Sequence, residues 1–321
     1  MLKRTIARVC NLSAISPRFS SIPPLPAPTF AAMSLHTNTG TYTLLNGKTI
    51  PKIALGTYLS NEGECAASVK LALQNGYRHI DTAAYYFNEE EVGQGIKESG
   101  VPREEIFVTT KVWNDQHKNV KGAFESSLKK LGLDYIDLYL MHWPISLDPE
   151  TQKPYADWDY VDTYKEMQKL VHSGKAKSIG VSNFTVAKVK RLLADPEITI
   201  KPVVNQIEAH PLLPQPELTK WMQDEGIIIE AYRPLGSAQS VLITNETIVE
   251  IAKKNNVDEG QVLISWGVQR GTVVLPKSVK EKRLISNLKT FTLSEEDFRA
   301  VDTLSEKYGV QRTVNSEVFE D

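Results

Sequence analysis

Residues 76–93 bring together side chains that could carry out acid–base chemistry. A short apolar run ends in Asp81, and the loop after it carries Tyr85 and Tyr86. Asn88 and three glutamates then open a helix, because an Asn N-cap and early acids suit the positive end of the helix dipole. A tyrosine hydroxyl titrates near pH ~10, so acid chemistry at neutrality needs a cation that stabilises the phenolate. The stretch alone contains no such cation at a suitable spacing.

The elements that must position these groups repeat as one unit: a short apolar run ending in a polar residue, a loop and an amphipathic helix. The predicted strands lie at 53–55, 79–81, 107–111, 136–141, 178–181, 203–206, 227–232 and 272–275. Beyond the helix that opens at Asn88, helices are predicted at 65–75, 119–131, 162–172, 186–193, 215–225, 247–255, 259–270, 281–288 and 294–308.

Eight strand–helix units predict a single α/β domain with the (β/α)8 TIM-barrel fold. A β-hairpin with a two-residue Asn46-Gly47 turn is predicted ahead of the barrel, and an extra helix and tail after it. A doubly wound sheet is the competing architecture. It usually carries Gly-x-Gly-x-x-Gly after an early strand, and no such run follows the first strand here.

Polar side chains close seven of the predicted strands, and in such a barrel these ends face one another at the active site. They are Asp81, Lys111, His142, Ser182 with Asn183, Gln206, Tyr232, and Lys277 with Ser278. Taken singly, Lys111 could be a solvated strand end and His142 a structural histidine. Their convergence on seven strands favours a site.

Lys111 would supply the missing cation. Between Asp81 and a loop tyrosine, its ammonium is expected to lower the tyrosine pKa, while Asp81 keeps the lysine charged. A tyrosine of this kind can give a proton to a carbonyl oxygen. His142 could donate a hydrogen bond to the same oxygen. Two tryptophans come just after these strands and are expected to wall the pocket, namely Trp113 and Trp143.

Six ordered motifs resemble the aldo-keto reductase superfamily. They are Asp81-Thr-Ala-Ala-Tyr-Tyr86, Thr110-Lys111-Val-Trp113, Leu140-Met-His142-Trp-Pro144, Gly180-Val-Ser182-Asn183-Phe184, Asn205-Gln206 and Leu275-Pro-Lys277-Ser278-Val279. The resemblance runs from about residue 42 to 312 and is closest to the yeast group of NADP-linked glycerol dehydrogenases and aldehyde reductases. It implies NADPH-dependent reduction of aldehydes or ketones, with reversible oxidation of alcohols or polyols of the glycerol/glyceraldehyde type.

The resemblance also implies the residues of the site. It assigns the catalytic tetrad to Asp81, Tyr86, Lys111 and His142, and the family spacing of five residues after the aspartate selects Tyr86 over Tyr85. Substrate contacts are implied at Trp113, His142 and Trp143. The implied NADP(H) contacts are Gly56, Thr57, Asp81, Ser182, Asn183, Gln206, Tyr232, Leu235, Ser237, Lys277, Ser278, Val279, Arg283 and Asn287.

Within that cofactor site, the resemblance places Ser182, Asn183 and Gln206 on the nicotinamide carboxamide and Tyr232 against the ring. Lys277, Ser278, Arg283 and Asn287 would surround the adenosine 2′-phosphate. Two cations and a hydroxyl beside a helix start suit a phosphate dianion, which favours NADP over NAD.

Two other functions remain open at this point. Lys111 could be a Schiff-base nucleophile in an aldolase-type barrel. The chain could also be an NADP(H)-binding regulatory subunit of the same fold with little turnover. No metal is expected, because the six histidines lack a ligand spacing such as His-x3-His.

Composition bounds the partners and sets the N-terminus apart. The chain has 321 residues and a net charge of −2, so neither nucleic acid nor membrane is an expected partner, and a monomer is expected. Residues 1–38 form a basic, serine-containing leader without acids, typical of a mitochondrial transit peptide, although an over-extended gene start would look the same. A chain starting at Met33 is expected to be cytoplasmic, and the barrel is expected to span 39–321.

Overall fold

The computed structural model describes residues 34–60, 63–237 and 240–314. The strands in these residues are β1 (His36–Thr37), β2 (Thr41–Thr43), β3 (Thr49–Pro51), β4 (Leu55–Gly56), β5 (His79–Asp81), β6 (Phe107–Val112), β7 (Leu138–Met141), β8 (Ile179–Ser182), β9 (Val204–Glu208), β10 (Ile228–Tyr232), β11 (Val273–Leu275) and β12 (Lys289–Thr290). Strands β4 to β11 form one parallel sheet in chain order.

Backbone hydrogen bonds between β11 and the residues just before β4 close this sheet into a barrel. The Ala54 N–H donates to the Val274 carbonyl at 2.9 Å, and the Val274 N–H donates to the Lys52 carbonyl at 2.9 Å. Closure leaves the barrel sheet without an open edge. The predicted (β/α)8 barrel is confirmed.

The helices surround this barrel. Those in the described residues are α1 (Glu64–Gln74), α2 (Glu89–Ser99), α3 (Val120–Leu131), α4 (Tyr160–His172), α5 (Val186–Ala194), α6 (Pro216–Asp224), α7 (Glu246–Asn255), α8 (Glu259–Gln269), α9 (Glu281–Asn287), α10 (Glu295–Asp302) and α11 (Leu304–Tyr308). A Cβ at Gly93 of α2 would lie 2.3 Å from the Leu131 carbonyl oxygen, so glycine permits the close approach to α3. In the described part of the chain, no helix is both long and apolar enough to cross a membrane.

The start of the barrel unit differs from the prediction. β1 pairs with β12, and the Asn38 N–H donates to the Leu288 carbonyl at 2.8 Å. These bonds tie residues that precede the predicted boundary at residue 39 to the barrel unit. The rest of the predicted leader, residues 1–33, lies outside the described residues.

The hairpin has a longer turn than predicted. The Leu44 N–H donates to the Lys48 carbonyl at 2.7 Å, so residues 45–47 form a three-residue loop. Gly47 has a φ of 78°, the left-handed conformation that ends such loops. The predicted two-residue turn is therefore wrong.

The last predicted helix, 294–308, is two helices. α10 ends at Asp302 and α11 begins at Leu304. The Thr303 hydroxyl donates to the Arg299 carbonyl at 2.9 Å, and such side-chain bonds compete with regular helix bonds. An uninterrupted helix is therefore wrong at this position.

Alternation along the strands decides which side chains enter the barrel. On β7, Leu138 and Leu140 belong to the inner apolar cluster, whereas Tyr139 and Met141 pack outside with the helices. The same period of two places every second residue of the neighbouring strands inside. The upper positions of the interior are polar, and they form the site.

Candidate active site

Four of the predicted site residues converge at one end of the barrel. Asp81 ends β5, and Lys111 lies near the end of β6, the strand paired with it. Tyr86 ends a single 3₁₀ turn, Ala84–Tyr86, that follows β5 directly. His142 follows β7. The parallel register of these strands therefore brings the four side chains together.

Lys111 is the centre of this group, and its side chain is fully buried. Its Nζ donates to both carboxylate oxygens of Asp81, at 2.9 and 3.0 Å, and to the Thr82 carbonyl at 2.8 Å. It also lies 3.3 Å from the Tyr86 hydroxyl oxygen. Burial opposes the ammonium charge, but Asp81 and Tyr86 outweigh burial and raise the pKa of Lys111. Lys111 is a cation at neutral pH.

Tyr86 differs from the prediction in the direction of its pKa shift. Burial raises the pKa of its phenol, Lys111 lowers it, and the Asp81 charge raises it again. The sum is a raised pKa, whereas a lowered one is predicted from the sequence. Lys111 limits the rise and does not reverse it. Tyr86 is therefore a neutral phenol, and a proton donor, throughout the neutral range.

His142 is held as a neutral ring. Burial lowers its pKa well below the ordinary value, and the charge of Lys111 lowers it further. Its ring centroid lies 5.7 Å from that of Tyr86 and 5.0 Å from that of Trp113. Its buried Nδ1 has no hydrogen-bond partner among the described residues. A neutral imidazole here can donate a hydrogen bond to a carbonyl oxygen.

Aromatic rings surround the phenol. Tyr85 stacks on Trp113 with a centroid distance of 3.7 Å and an interplanar angle of 15°. Tyr58 lies 4.9 Å from Tyr86 on another side. Trp143 follows His142 and is half-buried. Trp113 thus lies in the cluster, as expected for a pocket wall.

Four predicted cofactor residues form a hydrogen-bonded row on β8, β9 and β10. The Tyr232 hydroxyl donates to Asn183 Oδ1 at 2.9 Å, and Asn183 Nδ2 donates to the His142 carbonyl at 2.9 Å. The Ser182 hydroxyl donates to the Gln206 carbonyl at 2.8 Å. Asn183 has a φ of 64°, which turns the chain beside the strand ends. Amides, a hydroxyl and a half-buried aromatic ring are a donor set that fits a nicotinamide carboxamide and its ring.

The predicted phosphate side lies at the other edge of the barrel mouth. Lys277 is exposed, and its Nζ donates to the Leu59 carbonyl at 3.1 Å. The Ser278 hydroxyl accepts from the Lys280 N–H at 3.1 Å, which shapes the turn before α9. Exposed cations gather on this turn and on α9, namely Lys277, Lys280, Lys282 and Arg283. This donor set fits a phosphate dianion.

The remaining predicted cofactor residues connect the two parts. Thr57 is buried and donates from its hydroxyl to the Asp81 carbonyl at 3.0 Å, and the preceding Gly56 N–H donates to the Pro276 carbonyl. Leu235 and Asn287 both approach Gly260, at 4.0 and 3.7 Å from the position of a Cβ there. No distance links Ser237 or Val279 to these groups. In the described residues, no three potential ligands among His, Cys, Asp and Glu are grouped to hold a metal.

The model of the Aldo/keto reductase family matches residues 52–306 of this chain. The chain belongs to the aldo/keto reductase family. It is 50% identical over 299 residues to the glycerol 2-dehydrogenase (NADP(+)) of Saccharomyces cerevisiae, an alignment that covers 88% of this chain and 96% of that protein. It is 47% identical over 270 residues to the glyoxal reductase of Bacillus subtilis, with coverages of 83% and 92%.

A solved structure agrees with this family assignment. The aldo-keto reductase of Bombyx mori, crystallised in complex with NADP, superposes with a TM-score of 0.81 at 38% identity. The alignment covers 89% of this chain and 98% of the silkworm protein. The family match and this superposition confirm both the family and the fold that the motifs predict.

Sequence reasoning missed several polar residues of this family member. Asn88 is placed as the predicted N-cap of α2, but its side chain makes no capping bond. Its amide instead donates to the Thr57 carbonyl at 2.9 Å, and its oxygen accepts from the Thr82 hydroxyl. Asn88 therefore joins two loops at the barrel mouth. The only signal was its position two residues after Tyr86.

Two buried acids were also missed, and both lie in apolar stretches. Glu208 accepts hydrogen bonds from the Thr313 and Val314 N–H groups at 2.9 and 3.0 Å, which anchors the C-terminal segment. Burial works against its charge, but the hydrogen bonds from His210 and Thr313 prevail and lower its pKa to about 2. Glu230 lies inside β10 and contacts Gln206. A Glu within an otherwise apolar run was the available signal.

Proposed function

We propose that this chain reduces small aldehydes and ketones to alcohols with NADPH, and that Tyr86 gives the proton. Membership of the aldo/keto reductase family, with NADP-linked relatives, confirms the predicted class of an NADP-dependent oxidoreductase acting on carbonyl compounds. The finer statements, on residues and substrates, are our inference from the geometry.

One observation carries the role of Tyr86: the buried Lys111 ammonium lies 3.3 Å from its hydroxyl while Asp81 holds that ammonium in place. A neutral phenol beside a fixed cation can release its proton to an oxygen that gains negative charge, because the cation stabilises the phenolate left behind. His142, neutral and next to Tyr86, can hydrogen-bond the same oxygen. Together they stabilise an alkoxide as it forms.

The cofactor supplies a hydride to the carbonyl carbon when it is bound. We assign the carboxamide contacts to Ser182, Asn183 and Gln206, the ring contact to Tyr232, and the path between the two ends to Gly56, Thr57, Leu235 and Ser237. Lys277, Ser278, Val279, Arg283 and Asn287 are assigned to the adenosine phosphate. The exposed cations of this second group account for a preference for NADP(H) over NAD(H).

The Schiff-base alternative requires Lys111 to be a neutral amine that can reach a substrate carbonyl. Its Nζ is instead charged, fully buried and committed to Asp81 and Thr82. The geometry therefore favours a charge-stabilising role. The regulatory-subunit alternative shares all of this geometry, so turnover alone separates it from an enzyme.

For the substrate, the relatives offer the starting point. Their names refer to glycerol and glyoxal, which are small polar compounds. We propose aldehydes of this size, including the reversible glyceraldehyde/glycerol pair, with Trp113, Trp143 and His142 as the contacts. We further propose that the chain acts as a monomer, and in the cytoplasm when it starts at Met33.

The test is a panel of aldehydes, ketones and polyols with NADPH or NADP, applied to the full chain and to two matched variants. Tyr86→Phe removes the hydroxyl and should lower kcat by about 10²–10⁴-fold, the usual contribution of a general acid, with NADPH binding retained. Tyr85→Phe keeps the ring stacked on Trp113 and should retain most activity. A reversed order of the two variants would refute the assignment, and absence of turnover on every substrate would favour the regulatory role.

A further inference from the structure

One amide nitrogen in the barrel serves two buried carboxyl groups. Gln206 Nε2 donates to Asp81 Oδ2 at 2.8 Å and to Glu230 Oε2 at 2.7 Å. The three residues are 2%, 3% and 0% exposed, respectively. Gln206 and Glu230 are also direct neighbours in the register of β9 and β10. These bonds use both N–H groups of the amide, so they fix the orientation of the Gln206 side chain.

The positive charge in this cluster belongs to Asp81. Lys111 directs its Nζ at both oxygens of Asp81 and at the Thr82 carbonyl. Glu230 has no comparable partner among the described residues: its Oε1 makes no hydrogen bond, and the nearest basic atom, His79 Nε2, is 3.8 Å away. His79 is itself neutral, because burial lowers its pKa to about 3. An ionised Glu230 would be a buried charge without compensation, which is costly.

We propose that Glu230 is a positioning residue that carries a proton at neutral pH and holds Gln206, and through it the Asp81–Lys111 pair, in the active geometry. The arrangement keeps a single negative charge opposite Lys111. It agrees with the electrostatics of the site, because burial and then the Asp81 charge raise the pKa of Glu230 to about 8.

Ionisation of Glu230 would then change the acid–base chemistry. The groups facing it are Asp81 and His79 from β5 and Lys111 from β6, whereas its neighbours on β9 and β11 are the neutral Gln206 and Val273. A second negative charge beside Asp81 disfavours the Tyr86 phenolate and makes the phenol a weaker acid. We therefore expect the rate of carbonyl reduction to fall as Glu230 loses its proton.

The test compares Glu230→Gln with Glu230→Leu, and it rests on the proposed function only for its kinetic part. Gln mimics the neutral acid, so it should retain most of the wild-type kcat/KM at about pH 7. Leu leaves a buried N–H of Gln206 unpaired and should lower kcat/KM by about tenfold. Above about pH 8, the ratio of E230Q to wild-type rates should rise by about threefold, because only the wild type gains the extra charge.

An infrared difference spectrum between wild type and E230Q gives a readout that needs no turnover. We expect a band of a protonated carboxyl group in the wild type near pH 7, absent in E230Q and lost from the wild type as pH passes about 8. Absence of that band, parallel pH profiles, or a loss in E230Q as large as in E230L would each overturn the proposal. Failure of wild-type turnover with the band present would instead reject the proposed function and leave the protonated state of Glu230 established.

Discussion

Lys111→Met removes the cation of the site without changing the length of the side chain much. The variant leaves Asp81 buried with only its Gln206 hydrogen bond, and breaking a buried ion pair in this way costs about 3–5 kcal/mol of stability. A matched double variant, Asp81→Asn with Lys111→Met, removes both charges and should regain part of that stability. It therefore separates a role in folding from a role in catalysis.

The catalytic effect can be worked from the distance between the two groups. Two unit charges 3.3 Å apart interact by about 5 kcal/mol at an effective dielectric constant of about 20. This stabilisation applies to the phenolate form of Tyr86, so loss of Lys111 raises the pKa of Tyr86 further. If about half of the lost stabilisation is expressed in the transition state, reduction slows by about 10²-fold.

The sign of the pH effect follows from the form of Tyr86 that reacts. Reduction uses the neutral phenol, so its rate falls as pH rises through the Tyr86 pKa, and alcohol oxidation rises toward the same point. Because burial already raises that pKa in the wild type, reduction should be flat across neutrality, and both inflections should move to still higher pH in the variant. Rates in both directions from about pH 6 to 10.5 test this. If the double variant regains stability together with wild-type rates, Lys111 has no catalytic role.

Two further predictions concern the cofactor and the loop beside Tyr86. Lys277→Met or Arg283→Ala should weaken NADPH binding by about 1–3 kcal/mol with little effect on NADH, whereas Lys282→Met, a neighbouring exposed cation, should change neither; equal losses for both cofactors would refute the 2′-phosphate assignment. Phe87 is 84% exposed with a φ of 56°, so Phe87→Gly should raise the free energy of unfolding by about 1 kcal/mol in a denaturant titration, and a loss of stability would show that its contact with Tyr85 outweighs the backbone strain.

The sequence predicts the fold and the tetrad well because both depend on local patterns. Short apolar runs with period two define the strands, and the residue that closes each run necessarily lies at the same end of the barrel. Asp81, Lys111 and His142 are found in this way before any contact is known. The position of Tyr86 follows from the family spacing.

What the sequence could not supply are quantities set by the whole barrel. Glu230 lies 24 residues from Gln206 in the chain, and only the register of β9 with β10 makes them neighbours. The pKa of Tyr86 has the same origin: the attraction of Lys111 can be anticipated from two positions, but burial depends on every loop around the phenol. Burial proved to be the larger effect.

These two results bear on how the site handles protons. A phenol with a raised pKa keeps its proton at neutral pH, and reduction of a carbonyl consumes one proton per turnover. The reverse reaction must first ionise Tyr86, which burial and Asp81 oppose and Lys111 alone favours. A second ionised carboxylate at Glu230 would strengthen that opposition. Keeping Glu230 neutral therefore leaves Lys111 with one negative charge to offset, so that its ammonium can still stabilise the phenolate that each reductive turnover produces.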